Sequence, residues 1–458
     1  MVKKAWQLEK EFRQTALPVD RRVVPAQWDH VQEYPCGDGL LRWNWNIKVP
    51  GSLAVDRFFV GMVQDWGNQG YDVSEAEELL PLGIQLEAED RMEELRVVSA
   101  RVMKALCEAP KIPGHPYHSY EHPSSWDDVR EALPAASGYQ PLSGWRDDIP
   151  ERIYQGWIGQ IAGGSFGTAI EGYTGELIQK VYGDVRGYLI PPETTNDDVV
   201  YELLLLDVYE RMGKGITSDV LGDEWVQKLP YGVSAEGVAL RNLNLGIYPP
   251  DSGSFLNPYC DWIGAQMRTM VCGMLAPADP MEAARLAHID SVISHARNGV
   301  YGGMYAAVIT SLAFVMDNPR EIVVEGARYI PAKSEYAAKL AFCFDVLSNN
   351  SDPEKAWAVL DKHFEQYNWI HAYPNLAADL LALWYGDGDF TETMALLAKA
   401  GYDVDCNAGL VGNVLGVMRE VPEEWSDPLE DLLETYIKGK ERLSIRSIAD
   451  MNARLAKG

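Results

Sequence analysis

The chain has 458 residues, of which 47% are hydrophobic and 23% are charged, a composition typical of globular proteins with a packed core. Its formal net charge of −27 repels nucleic-acid backbones and anionic lipids, so neither a nucleic-acid polymer nor a membrane is an expected partner. An anionic ligand would need a local device, such as a metal ion or a helix N-terminus.

Residues 1–148 are predicted to form a mixed N-terminal domain of unknown role that is rich in tryptophan. The stretch LLRWNWNIKV at 40–49 is strand-like, whereas residues 56–80 and 87–109 have helical periodicity. Residues 110–150 are rich in Pro, His, Ser and Trp and are expected to be a linker. A lid over a pocket and a subunit interface are equally open as roles for this domain.

The N-terminal sequence, the longest apolar run and the cysteines indicate the cellular compartment. The first residues, MVKKAWQLEKEFRQ, carry positive charge but lack the apolar core of a signal peptide. The longest apolar run, 301–316, is shorter than the roughly 20 residues that a membrane helix needs. No CxxC pair occurs, which predicts free thiols in a reducing compartment and, with the other features, favours the cytoplasm. The cysteines are Cys36, Cys107, Cys260, Cys272, Cys343 and Cys406.

Four glycines recur at helical spacing within residues 153–172. Because glycine lowers helix propensity, four on one face indicate that another helix backbone passes unusually close, with plain close packing as the alternative. Glu171 continues the same stripe, which would place a carboxylate at the mouth of the packed centre. The glycines are Gly156, Gly159, Gly163 and Gly167.

Further amphipathic runs, separated by short Gly, Pro or Asp turns, continue towards the C-terminus. Such alternation is typical of packed helices joined by short connections. Residues 149–458 are therefore predicted to form a compact, all-helical domain.

Two acidic motifs each stand directly before a helical run. The first, residues 196–198, reads Asn-Asp-Asp; the second, residues 403–407, reads Asp-Val-Asp-Cys-Asn and leads into a glycine-rich run. Their carboxylates and carbonyl oxygen suit Mg²⁺ or another hard ion, two ions more readily than one. The alternative is that both motifs are helix N-caps, which Asp and Asn often form. The candidate ligands are Asn196, Asp197, Asp198, Asp403 and Asp405.

Six stretches of the chain follow one another in a characteristic order. They are ERIYQGWIGQIAGGSFGTAIEG, NDDVVYELL, NPYCDWIGAQMRTMVCG, HIDSVISHARNGVYGGMYAAVITSLAF, HAYPNLAADLLALWYGDGDF and YDVDCNAGLVGN. In this order they make the region from residue 151 to the end resemble the ADP-ribosylglycohydrolase family. The resemblance is to a bacterial branch with an extra N-terminal domain and an Asp-x-Asp-Cys-Asn motif, and it covers about two thirds of the chain.

This resemblance implies an activity and its cofactors. The reaction would be metal-dependent hydrolysis of an N- or O-glycosidic bond at the anomeric carbon of ADP-ribose or a related ribosyl compound. The cofactors would be two Mg²⁺ ions, with Mn²⁺ or Ca²⁺ as alternatives, and the partner a small-molecule or ADP-ribosyl-conjugate substrate. Two other functions stay open: hydrolysis of a small nucleoside or other glycosyl metabolite, and a catalytically inert binding or structural role. The leaving group and the oligomeric state are open as well.

The same resemblance gives roles to individual residues. It makes Glu171 the catalytic residue, which orients or deprotonates a water as positive charge develops at the anomeric carbon. Asn196 stands where the family usually has threonine, and Cys406 is a poor ligand for Mg²⁺. The turn at 295–303 resembles the family's substrate loop, in which glycines let backbone amides approach a diphosphate. The implied metal ligands are Asn196, Asp197, Asp198, Asp403, Asp405 and Cys406. The implied substrate contacts are His295, Gly299, Tyr301, Gly302, Gly303, Asn407 and His371, with Asn375 as a supporting residue.

Overall fold

A computed structural model describes residues 2–24, 37–134 and 145–458 of the chain. Helices dominate these segments, and the strands in them form small two-stranded antiparallel sheets. The mainly all-α fold class that the sequence predicts is confirmed. None of the helices in the described segments combines the length and the apolar character needed to cross a membrane.

The elements are numbered in chain order. The N-terminal part contains α1 (Ala5–Thr15), α2 (Asp38–Trp45), β1 (Ile47–Lys48), β2 (Val55–Asp56), α3 (Phe58–Asn68), α4 (Ser74–Ala88), α5 (Met92–Glu108) and α6 (Trp126–Ala132). The middle contains α7 (Ile149–Gly167), β3 (Tyr173–Thr174), α8 (Gly175–Tyr182), α9 (Asp197–Met212), α10 (Ser218–Lys228), α11 (Ser234–Asn244), α12 (Asp251–Ser254), α13 (Met270–Leu275) and α14 (Pro280–Ser291). The remainder contains α15 (Arg297–Ala313), α16 (Pro319–Gly326), α17 (Glu335–Asn349), α18 (Pro353–Phe364), α19 (Ala372–Tyr385), α20 (Phe390–Ala400), β4 (Gly401–Tyr402), α21 (Val404–Met418), α22 (Glu423–Ser426), β5 (Leu432–Glu434), β6 (Arg442–Ser444) and α23 (Ile445–Lys457).

The strand expected at residues 40–49 is wrong for most of its length, because helix α2 extends to Trp45. The Trp45 side chain is fully buried, stacks on Phe59 with ring centroids 4.7 Å apart, and donates a hydrogen bond to the Ser99 hydroxyl at 2.8 Å. These tertiary contacts outweigh the local strand preference of the tryptophans.

The linker expected at residues 110–150 is partly wrong as well. It contains a 3-10 helix, Pro116–Ser119, and helix α6, whose Val129 is fully buried. Residues 135–144 of the expected linker lie outside the described residues, and so does Cys36.

Buried apolar side chains form two hydrophobic cores in the described part of the chain. The larger one includes α7, α9, α15, α19 and α21, and it also takes in Val49 and Ala54 from the N-terminal part. The smaller one is built from the N-terminal helices, but Tyr259 and Trp262 contribute to it. Both cores therefore draw side chains from either side of residue 148, and a domain boundary there stays a prediction.

The glycine stripe of α7 packs directly against the stripe of small residues on α21. A Cβ atom added at Gly163 would overlap the carbonyl of Ala408, and one added at Gly412 would overlap the carbonyl of Gly159. The close approach of a second helix backbone is thus confirmed. Because the two helices pack along these stripes, the end of α7 lies beside the start of α21, where the second acidic motif begins.

Gly163→Ala is expected to lower the free energy of unfolding by about 3 kcal/mol, because the added methyl group forces two tightly packed backbones apart. Gly164→Ala is the matched control on the same helix, since its Cβ would meet Asn196 Nδ2 at an ordinary 3.4 Å. Denaturant unfolding of both variants measures the difference. Equal losses of stability would contradict the importance of this contact.

Candidate metal centre

Three separate segments of the chain meet at the ends of α7, α9 and α21. The segment after α7 carries Glu171, the N-terminus of α9 carries residues 196–198, and the N-terminus of α21 carries residues 403–407. Strands β3 and β4 pair between them, and the Gly172 N–H donates to the Tyr402 carbonyl at 2.8 Å. This ribbon fixes the Glu171 segment beside the second acidic motif.

Two overlapping groups of side chains have the spacing of metal ligands. The first consists of Asp198, Asp405 and Cys406, and the second of Glu171, Asp403 and Asp405. Within each group the candidate ligand atoms all lie within 4.8 Å of one another. Because Asp405 belongs to both groups, its carboxylate could be shared between two ions, as in two-metal hydrolases. The mainly carboxylate donor set suits a hard ion such as Mg²⁺.

Helix capping explains one acidic motif and not the other. Asn196 caps α9, since its Oδ1 accepts a hydrogen bond from the Asp198 N–H at 2.9 Å. Its Nδ2 donates to Asp405 Oδ2 at 3.3 Å and so orients that carboxylate. Asp403 occupies the N-cap position of α21, but its side chain makes no capping hydrogen bond. Asp403 Oδ1 has no hydrogen-bond partner and is therefore available to a ligand, and the role of Asn196 as a ligand stays a prediction.

Several oxygen atoms of this cluster are buried without a hydrogen-bond partner. Burial, followed by repulsion from neighbouring carboxylates, raises the pKa of Glu171, Asp198 and Asp403 well above the ordinary values. Negative charge gathered in such a place is unfavourable unless a cation balances it. The residues therefore fit a bound hard cation. The unpartnered atoms are Glu171 Oε2, Asp403 Oδ1, Asp405 Oδ1 and Asn407 Oδ1.

Cys406 differs from the carboxylates around it. Burial and the nearby Asp198 raise the pKa of its thiol well above the ordinary value, so the thiol stays protonated at neutral pH. The thiol donates a hydrogen bond to Asp198 Oδ1, with 3.5 Å between sulfur and oxygen. A protonated thiol is a poor ligand for a hard ion, and the ligand role of Cys406 stays a prediction.

Asp197 is less enclosed than its neighbour Asp198 and is in neither of the two groups. Burial, then the charges of Asp405 and Glu236, raise the pKa of Asp197 to about 7. The Asp197 carboxyl group is therefore repelled by the neighbouring carboxylates. Its expected role as a metal ligand stays a prediction.

Asn375 supports the second motif. Its Oδ1 accepts hydrogen bonds from the Asp403 N–H at 3.3 Å and from Asn407 Nδ2 at 2.8 Å. Its Nδ2 donates to the carbonyls of Trp369 at 2.7 Å and His371 at 2.9 Å. The His371 ring itself caps α19, so Asn375, rather than His371, has the direct bonds to the acidic motif.

The turn expected at residues 295–303 is wrong, because helix α15 begins at Arg297. Tyr301 is fully buried, and its hydroxyl donates to the Pro123 carbonyl at 2.8 Å. A Cβ atom at Gly303 would overlap the Ser291 hydroxyl. The glycines here allow helix packing in place of an open loop. A role in substrate binding stays a prediction for His295, Gly299, Tyr301, Gly302, Gly303, Asn407 and His371.

A buried carboxyl group behind the site was not anticipated from the sequence. Glu202 lies on α9 one turn after Asp198 and is fully buried. Burial raises its pKa well above the ordinary value, which favours the neutral acid. Its i, i+4 spacing from Asp198 was the only available signal.

A cleft of about 670 Å³ opens beside the β3–β4 ribbon. Its walls include Arg13 on α1, Trp369 and Tyr402. Tyr402 directly precedes Asp403, and the Trp369 carbonyl is bonded to Asn375. The cleft is therefore lined by a residue that flanks the second acidic motif, while no residue of the acidic cluster itself lines it.

One family model and two similar proteins match this chain. The family model for ADP-ribosylglycohydrolase matches residues 146–457, a range that contains the whole acidic cluster. An uncharacterized protein from Archaeoglobus fulgidus is 25% identical over 291 residues, which cover 60% of this chain and 90% of that protein. A solved structure of an ADP-ribosylglycohydrolase-related protein complex has 19% identity and a TM-score of 0.48, covering 68% of this chain and 100% of that chain.

Proposed function

Because the chain belongs to the ADP-ribosylglycohydrolase family, we propose that it is a Mg²⁺-dependent hydrolase of an N- or O-glycosidic bond at the anomeric carbon of ADP-ribose or a related ribosyl compound. Family membership by itself supports glycosyl-hydrolase chemistry. The observation that carries the specific proposal is the pair of donor groups that share Asp405, one of which contains Glu171.

In this proposal the side chains divide into those that hold cations and one that moves a proton. Asp198, Asp403 and Asp405 would hold Mg²⁺ through their carboxylates, with Asn196 and Asp197 as further oxygen donors. When bound, Mg²⁺ supplies positive charge that orients the ribose hydroxyls and a water. Glu171 accepts a proton from that water as positive charge develops at the anomeric carbon.

The cleft beside the ribbon is proposed to receive the leaving group. Its wall includes the aromatic rings of Trp357 and Trp369 and the charged side chain of Lys399, which together suit a ligand with both planar and polar parts. A small molecule and an ADP-ribosyl conjugate both remain candidate substrates.

Product release from a panel of ADP-ribosyl conjugates and simple nucleosides, with Mg²⁺ and with chelator, tests this function. Release of ADP-ribose only with Mg²⁺ is the expected result. Release only from a nucleoside or other glycoside would keep the mechanism and change the substrate. A panel that yields no product from a protein that also binds no Mg²⁺ would contradict the proposal.

A non-catalytic binding role is the second candidate. The protonated Cys406 thiol and the capping role of Asn196 both reduce the number of oxygen donors that face a cation. Fewer hard donors would weaken one of the two sites.

Cys406→Ser tests whether this thiol weakens metal binding. Because a hydroxyl oxygen is a harder donor than a protonated thiol, Mg²⁺ is expected to bind at least about threefold more tightly. Cys343→Ser, at another buried cysteine, is the control and should leave the affinity unchanged. Calorimetric titration measures both, and an unchanged affinity in Cys406→Ser would show that the thiol does not limit binding.

A further inference from the structure

Helix α1 of the N-terminal part reaches the segment that carries Glu171. Arg13 on this helix is 3% exposed, and its Nη1 donates a hydrogen bond to the Gly172 carbonyl at 2.6 Å. Its Nη2 donates to the Val55 carbonyl. One buried guanidinium thus links α1 and β2 to the residue that directly follows Glu171.

The Arg13 side chain is itself fixed in place. Its Nε lies 2.9 Å from Glu9 Oε1, and its Nη2 lies 3.6 Å from Asp56 Oδ1. The guanidinium also stands over the Trp369 ring, 5.4 Å from the ring centroid. A planar cation with several fixed partners is well suited to hold a carbonyl group in one position.

Both the carbonyl and the N–H of Gly172 form hydrogen bonds. While Arg13 binds its carbonyl, its N–H donates to Tyr402, the residue before Asp403. Gly172 has a φ of 78°, in the left-handed region that favours glycine. A Cβ atom added there would lie 3.0 Å from the Cβ of Ala54. The N-terminal part therefore packs closely on this turn.

A second contact from the N-terminal part joins the same turn. The Tyr173 hydroxyl donates to the Ser52 carbonyl at 3.3 Å, and a Cβ atom at Gly51 would overlap Thr168. Thr168, Gly172 and Tyr173 are thus each contacted by residues from the first 56 of the chain.

We propose that Arg13 is a positioning residue: it fixes residues 168–172 so that the Glu171 carboxylate faces Asp403 and Asp405. It acts on Glu171 through its hydrogen bond to the Gly172 carbonyl. On this account the N-terminal part, which lies outside the matched residues 146–457, completes the active site. The effect on catalysis rests on the proposed function, whereas the positioning of residues 168–172 by Arg13 does not.

The test variant is Glu9→Gln/Arg13→Met, since removing Arg13 alone would leave the buried Glu9 carboxylate without its cation. The control is Lys4→Met/Glu77→Gln, which removes the ion pair, joined at 2.9 Å, between the residue that precedes α1 and a residue of α4. Hydrogen–deuterium exchange of residues 168–172 reports on the loop. Steady-state kinetics and Mg²⁺ calorimetry report on the site, and thermal unfolding confirms that each variant folds.

We expect loop exchange to rise at least about tenfold in the test variant. The kcat should fall about 10- to 100-fold, with KM and Mg²⁺ affinity within about threefold of wild type. The control should change none of these, and Arg13→Lys should restore part of kcat because it keeps the charge and one donor.

Unchanged loop exchange in the test variant would overturn the proposal, and so would faster exchange with a wild-type kcat. If the wild-type protein hydrolyses no member of the substrate panel, the proposed function fails separately. Loop exchange then still decides whether Arg13 holds residues 168–172.

Discussion

Asp405→Asn is expected to abolish Mg²⁺-dependent turnover, with a loss of at least about 10³-fold. Asp405 is the one carboxylate shared by both groups of closely spaced donors, so its neutralisation weakens both at once. Calorimetry should show loss of Mg²⁺ binding in parallel. Asp450→Asn, at an exposed position on α23, is the control and should leave turnover and binding unchanged.

The same variant should be more stable than wild type in chelator. Burial raises the pKa of Asp405, so the folded protein binds this proton more tightly than the unfolded chain does. The ionised carboxylate therefore costs stability above its unfolded pKa and costs nothing below it. At neutral pH without metal, Asp405→Asn removes that cost and should raise the thermal midpoint. A lower midpoint would mean that Asp405 serves mainly to hold the fold.

Glu171→Gln should lower kcat by about 10²- to 10⁴-fold, the range for loss of a general base. Glutamine keeps the shape and one oxygen but cannot accept the proton from water. Mg²⁺ affinity and the affinity for ADP-ribose should stay within about threefold of wild type if the carboxylate acts on the water. Calorimetry and steady-state kinetics separate these quantities.

Glu210→Gln, at an exposed position on α9, is the control for Glu171→Gln and should keep full activity. A loss of Mg²⁺ binding in Glu171→Gln, parallel to the loss of kcat, would instead make Glu171 a metal ligand. Its place in the group with Asp403 and Asp405 makes this the necessary comparison.

The parts of the site that the sequence predicts are those with a local pattern. The two acidic motifs each sit at a helix start, and the stripe that includes Gly159 and Gly163 has a fixed spacing. Because glycines at this spacing permit close backbone contact, the stripe also anticipates that α7 meets another helix. The meeting of the acidic motifs depends on that packing.

The parts that the sequence does not predict depend on contacts between distant residues. Arg13 and Gly172 are 159 positions apart, and no spacing rule links them. An asparagine at position 196 can either cap a helix or bind a metal. The hydrogen bonds of Asn196, which the sequence does not show, distinguish the two roles. At residues 295–303 the glycines are compatible with a turn or with a closely packed helix, and tertiary packing selects the helix.

Calorimetric titration of the wild-type protein and of Asp405→Asn with Mg²⁺ tests the central claim most directly, because it needs no knowledge of the substrate. The account predicts saturable binding of two ions per wild-type chain and none in Asp405→Asn. Absence of saturable Mg²⁺ binding by the folded wild-type protein would contradict it.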